Sequence, residues 1–145
     1  IKGNHDFGTA NLLQSVLEEA LDSGLYHERI TQLQSRYNLK ANHMRRCIQR
    51  HFPKEIAWEK PKGGLYFWAK APDYISTGPD SPLFKMALKE RVLYVPGVYT
   101  YADDLNTKKY DHAMRISFGN ASLTDLKQGI ERLGKALEKQ CSQRK

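Results

Sequence analysis

Apolar residues recur along this chain with two spacings, and the change from one to the other divides it. Leu12, Leu13, Val16, Leu17, Ala20 and Leu21 fall at i, i+1, i+4, i+5, i+8 and i+9, which gathers them into one stripe of an α-helix. Thr9 is suited to cap its start and Gly24 to stop it. A longer helix is predicted from about Tyr26 to His51, with Ile30, Leu33, Tyr37, Ala41, Met44 and Ile48 on one face and Pro53 ending it. At 1.5 Å per residue its roughly 26 residues reach ~39 Å. That is longer than a domain this small needs for its own core, so the helix is expected to pack on something further, a second domain or a partner chain.

Beyond Pro53 the period shortens. Ile56–Glu59 and Leu65–Ala69 are β-rich runs joined by Lys60-Pro61-Lys62-Gly63-Gly64, a pattern that predicts a hairpin. A helix is predicted from about Pro82 to Arg91, then a strand at Val92–Val95 that Pro96-Gly97 stops. A polar loop runs to about Asp111, and Ala113–Phe118 reads as a strand. Ser122-Leu123-Thr124-Asp125 resembles a capping box and opens a last helix with apolar positions at 123, 126, 130, 133 and 137. No repeat or low-complexity tract interrupts this order. It predicts an α+β fold: a helical segment over 1–52 with a long N-terminal helix, then an α+β domain over 53–145. The domain's small, mostly antiparallel sheet is covered by helices on one face.

Composition fits that picture. The 145 residues are 40% hydrophobic and 27% charged, with a mean hydropathy of −0.66, an ordinary soluble balance. No run approaches the ~18 apolar residues of a membrane span, so no membrane is expected. The opening Ile1-Lys2-Gly3-Asn4-His5-Asp6 has no secretory pattern and no initiator Met, and the chain is expected to begin within a longer one. Cys47 and Cys141 are isolated from each other in sequence, which suits reduced thiols in a cytoplasmic protein. The net charge of +7 is spread thinly except over residues 112–145, which carry 7 basic and 3 acidic side chains. Cations in the last turns of a terminal helix complement its dipole. A groove-reading protein would show a basic stripe with aromatic or amide partners instead, so no nucleic acid is expected.

Few residues suggest chemistry. Strand alternation puts Met114, Ile116 and Phe118 on one face, expected to be the core, and Ala113, Arg115 and Ser117 on the other. An arginine on a rigid strand with small neighbours suits a carboxylate or phosphate, because its planar fork binds two oxygens at once. Pattern alone favours the plainer alternative, a salt bridge on a solvated face. His43, Cys47 and His51 lie at i, i+4 and i+8, but the outer two are roughly 12 Å apart along a helix and cannot share a metal. No metal site is expected there. Gly63-Gly64 is expected to be a hairpin turn, and Gly119-Asn120-Ala121-Ser122 to cap the last helix rather than hold an anion. With no clustered Ser/His/Asp and no paired carboxylates, the chain reads as part of an enzyme rather than a whole one.

Four segments carry a resemblance: Tyr37–Phe52, Pro61-Lys62-Gly63-Gly64-Leu65-Tyr66-Phe67-Trp68, Val95-Pro96-Gly97, and Met114-Arg115-Ile116-Ser117-Phe118. Each is weak alone. In this order and rough spacing they resemble the C-terminal part of class I/II aminotransferases, the fold-type-I pyridoxal-phosphate enzymes, over almost the whole chain. The resemblance implies the small domain of such an enzyme with the helix that links it to a large domain. Arg115 would then match the strand arginine that clamps the substrate's α-carboxylate. The Schiff-base lysine, the aspartate at the pyridine nitrogen and the phosphate-binding residues belong to the large domain, which precedes the matched region. The chain is therefore expected to hold no catalytic or cofactor-binding residue, to be inactive alone, and to depend on pyridoxal 5'-phosphate bound elsewhere. Further expectations are amino-acid and 2-oxo-acid substrates, a cytoplasmic location and a homodimer. The alternatives are an aminotransferase-like effector domain of a transcription regulator, and a free-standing interaction domain with no ligand. There are two departures from the resemblance: Arg91 stands where many relatives have glycine, and the loop from Tyr99 to Asp111, which the resemblance places near the substrate side chain, is polar with Asp103-Asp104, which leaves the substrate class open.

Overall fold

The computed structural model describes residues 10–102 and 109–143. Two compact units make up the chain, residues 1–36 and 37–145, so the division falls inside the long helix.

The first unit holds helix α1 (Asn11–Asp22) and the opening turns of α2 (Leu25–His51). Ala10 precedes α1 without a side-chain cap, and Thr9 lies outside the described residues. At the far end Gly24 takes φ 75°, the left-handed conformation that only glycine adopts without strain. Its N–H donates to the Leu21 carbonyl at 3.2 Å. The predicted apolar stripe is there, but α1 buries none of its residues, and Leu12 and Leu13 are 75% and 68% exposed.

In the second unit α2 begins to contribute a core, burying Ala41, Met44, Cys47 and Ile48. Strands β1 (Ala57–Glu59), β2 (Tyr66–Lys70), β3 (Val95–Pro96) and β4 (Ala113–Ser117) form one sheet in the order β1-β2-β4-β3. Every neighbouring pair is antiparallel. The predicted hairpin is the β1–β2 pair. Phe67 and Ala69 on β2 face the same way as Ile116 and Met114 opposite them on β4. These four are buried with Leu83 and Ala87 of α3 (Pro82–Lys89) and Leu126, Ile130, Leu133 and Leu137 of α4 (Leu123–Ser142). The sheet is thus covered on one side by helices, as the alternation predicts. Both later helices start on side-chain caps: Ser81 Oγ accepts from the Phe84 N–H, and Ser122 and Asp125 form a reciprocal capping box.

The predicted strand at Val92–Val95 is shortened to Val95–Pro96 and includes the proline expected to stop it. The cause lies in the turn before it. Arg91 takes φ 58°, and the Val92 N–H returns to the Ala87 carbonyl at 2.9 Å, so residues 92–94 are spent bringing the chain back to the sheet. Arg91 occupies the backbone conformation in which glycine pays no Cβ penalty. Pro96 is tolerated because β3 is an edge strand, where a missing N–H removes little pairing. A 3₁₀ turn, Gly97–Thr100, follows where a loop was expected.

Ala113, assigned to the open face by alternation, is only 2% exposed. Gly97 lies against it so closely that a Cβ there would sit 2.7 Å from the Ala113 carbonyl oxygen. From the 72–78 loop, buried Thr77 donates through Oγ1 to the same oxygen at 2.7 Å. Tyr94, 1% exposed, in turn donates its hydroxyl to the Thr77 carbonyl at 3.0 Å. Removing that hydroxyl leaves a buried carbonyl short of a partner, so Tyr94→Phe should cost about 1–3 kcal/mol in urea unfolding at neutral pH. Burial holds the phenol well above its ordinary value of 10.0. The folded state therefore keeps the proton that the unfolded state begins to lose near that pH. Stability should decline as pH rises past it, and the phenylalanine variant should flatten that decline.

Candidate functional site: an arginine on the open face of the sheet

β4 lies between β2 and β3, and Arg115 is at its middle, with Trp68 opposite on one side and Val95 on the other. Its side chain rises on the face away from the helices. There the guanidinium carbon stands 4.5 Å from the centroid of the Tyr66 ring. Arg115 is half-buried, and its Nε is fully covered without a hydrogen-bond partner. Among the described residues the ion pairs are His112–Asp73 at 3.5 Å and Lys135–Glu131 at 3.1 Å. No described acid pairs with Arg115, so the salt bridge that the pattern favoured is not formed among these residues. A guanidinium held on a strand beside an aromatic ring, and paired with no described acid, can take a planar anion with two parallel hydrogen bonds. Pyramidal or spherical anions match that fork less well.

The other candidates do not gather into a site. Cys47 is buried while His43 and His51 are half-buried, and among the described residues no three His, Cys, Asp or Glu side chains are grouped to hold a metal. Burial pushes the Cys47 thiol up, and the same cause raises Cys141. Neither is poised as a thiolate. Gly64 takes φ 75° in the exposed turn between β1 and β2, consistent with a hairpin role. The Gly119–Ser122 segment uses its polar groups internally. The Gly119 carbonyl accepts from Lys40 Nζ at 2.7 Å and its N–H donates to Ser117 Oγ at 3.3 Å, while Ser122 caps α4. Asp103-Asp104 lies outside the described residues.

Sequence reasoning missed the stacking partner. Tyr66 and Trp68 share a face by alternation, but only the register, with Trp68 opposite Arg115 and Tyr66 opposite Ser117, brings the Tyr66 ring diagonally onto the guanidinium. Nothing local in the sequence fixes which residue of one strand meets which residue of another.

No family model matches the chain. Its relatives and the solved structures tell more. A 2-aminoadipate transaminase of Thermus thermophilus is 31% identical over 94% of this chain and 32% of its own length. The crystal structure of the α-aminoadipate aminotransferase from that organism, complexed with N-(5'-phosphopyridoxyl)-L-leucine, superposes with a TM-score of 0.84. That match covers 98% of this chain and 34% of the solved one, at 31% identity. An uncharacterized HTH-type transcriptional regulator of Bacillus subtilis is 30% identical over 90% of this chain and 25% of its own length. The chain spans about a third or less of each of these proteins. By sequence and by fold, therefore, the chain is a small domain of the aminotransferase type.

Proposed function

We propose that this chain is the substrate-gripping part of a pyridoxal-phosphate-dependent aminotransferase, with Arg115 binding the α-carboxylate of an amino acid or 2-oxo acid. The observation that carries the reading is the guanidinium itself: half-buried, on the open face, with a covered Nε that has no partner. A clamped carboxylate fixes the orientation of the rest of a small substrate, which converts a diffusing molecule into one held in register with the reacting group.

The cofactor would be held by the part of the protein outside this chain. Every described lysine but Lys40 is exposed, and Lys40 is bonded to the Gly119 carbonyl, so none is set in a desolvated site suited to holding a carbonyl cofactor. Pyridoxal phosphate, when bound, supplies an electron sink; this chain's contribution is to bind and orient the acid group. In this reading the whole protein is a cytoplasmic homodimer acting on amino acids and 2-oxo acids, without nucleic acid or membrane partners.

A second reading has specific support in the regulator relative: an effector domain that binds an amino acid without turning it over. One experiment separates the two. The whole protein, supplied with pyridoxal phosphate and 2-oxoglutarate, is assayed for amino transfer from each standard L-amino acid. Turnover of at least one donor is expected. Absence of turnover together with binding to duplex DNA would establish the regulator instead.

A further inference from the structure

We infer that Tyr66 is a positioning residue for Arg115, its ring holding the guanidinium in place so that the terminal Nη groups are presented to a carboxylate. The inference rests on the carboxylate-binding reading and assigns the part of the site that makes it work. Tyr66 and Arg115 are diagonal neighbours on the open face, since Tyr66 lies opposite Ser117 and Trp68 opposite Arg115. Diagonal pairs on antiparallel strands are within reach of aromatic and long side chains. The guanidinium carbon is 4.5 Å from the ring centroid, inside the roughly 6 Å over which a cation is attracted to a π face.

The choice of partner matters chemically. A guanidinium makes all its hydrogen bonds within its own plane, whereas a ring touches the flat of that plane. An acidic partner would steer the side chain equally well, but it would consume the fork and neutralise the charge that a substrate needs. A ring steers it and leaves both intact. The structure agrees: Nε is covered without a partner, no described acid pairs with Arg115, and the guanidinium carbon lies over the Tyr66 ring. Tyr66 is itself 45% exposed.

The test uses the whole protein with its cofactor, titrated with L-phenylalanine, L-leucine and L-glutamate, and reads the dissociation constant of the tightest binder. Tyr66→Leu should weaken it by roughly 3- to 30-fold, while Tyr66→Phe should stay within about twofold, because the attraction resides in the ring and not in the hydroxyl. Phenylalanines of rising fluorine content at position 66 preserve the shape and drain the π face. Affinity should fall stepwise along that series with the melting temperature unchanged, a response that a purely structural role would not give. In an Arg115→Ala background the series should be flat. If Arg115→Ala itself leaves affinity untouched, the carboxylate-binding reading fails and takes this inference with it. If Arg115→Ala weakens binding but the fluorinated series is flat with Arg115 present, the inference alone is overturned.

Discussion

Replacing Arg115 by alanine in the whole protein should lower kcat/KM for its amino-acid substrate by about 2–4 kcal/mol of transition-state stabilisation, roughly 30- to 1,000-fold. The loss follows from the bidentate bond that a guanidinium on β4 can make and that a methyl group cannot. Folding stability should change by less than about 1 kcal/mol, because no ion pair with a described residue is surrendered and the contact with the Tyr66 ring is worth about that much. Arg115→Lys should fall between wild type and alanine: the charge survives but the fork does not. Steady-state kinetics with a urea titration on each variant separates the two effects. An alanine variant with unchanged kcat/KM would overturn the carboxylate-binding role of Arg115.

The second large effect is on stability and concerns a pair of glycines in one helix. Gly134 in α4 lies against the end of α2, and a Cβ built there would sit 2.2 Å from the His51 carbonyl oxygen. Backbone cannot move aside as a flexible side chain can. Gly134→Ala should therefore destabilise the protein by about 1–3 kcal/mol, the ordinary range of overpacking costs, despite alanine's better helix propensity. Gly129 is its control: it lies in the same helix, and a Cβ there meets nothing within 4 Å. Gly129→Ala should stabilise by about 0.5–1 kcal/mol. Denaturant midpoints with opposite signs for the two variants are the expected result, and equal midpoints would contradict the packing described.

These two predictions differ in how far the sequence alone leads to them. Arg115 was reached by alternation, since Met114, Ile116 and Phe118 do face the core, and the capping box before α4 was visible in Ser122 and Asp125. Such signals are local: they concern residues within a turn or along one strand. Gly134 gave no sign, because the carbonyl it accommodates is 83 positions earlier in the chain. Ala113 was misplaced for the same reason; alternation sets the direction of a side chain but not whether Thr77 and Gly97 will close over it. β3 was misjudged because Arg91 gives no composition cue for the left-handed turn it makes. The stripe on α1 was read correctly as a helix, yet periodicity cannot name what lies against it, and among the described residues it remains uncovered.

The sheet's two sides answer to different demands. Phe67, Ala69, Met114 and Ile116 hold the domain together from beneath, while Tyr66, Trp68, Arg115 and Ser117 alternate with them on the upper side of the same two strands. A lineage exploring new ligands could vary the upper positions one at a time with little risk of unfolding, since interior packing is barely consulted. That separation offers a physical reason why one scaffold can be shared by proteins named as enzymes and proteins named as regulators: retuning what is recognised need not disturb what keeps the scaffold standing.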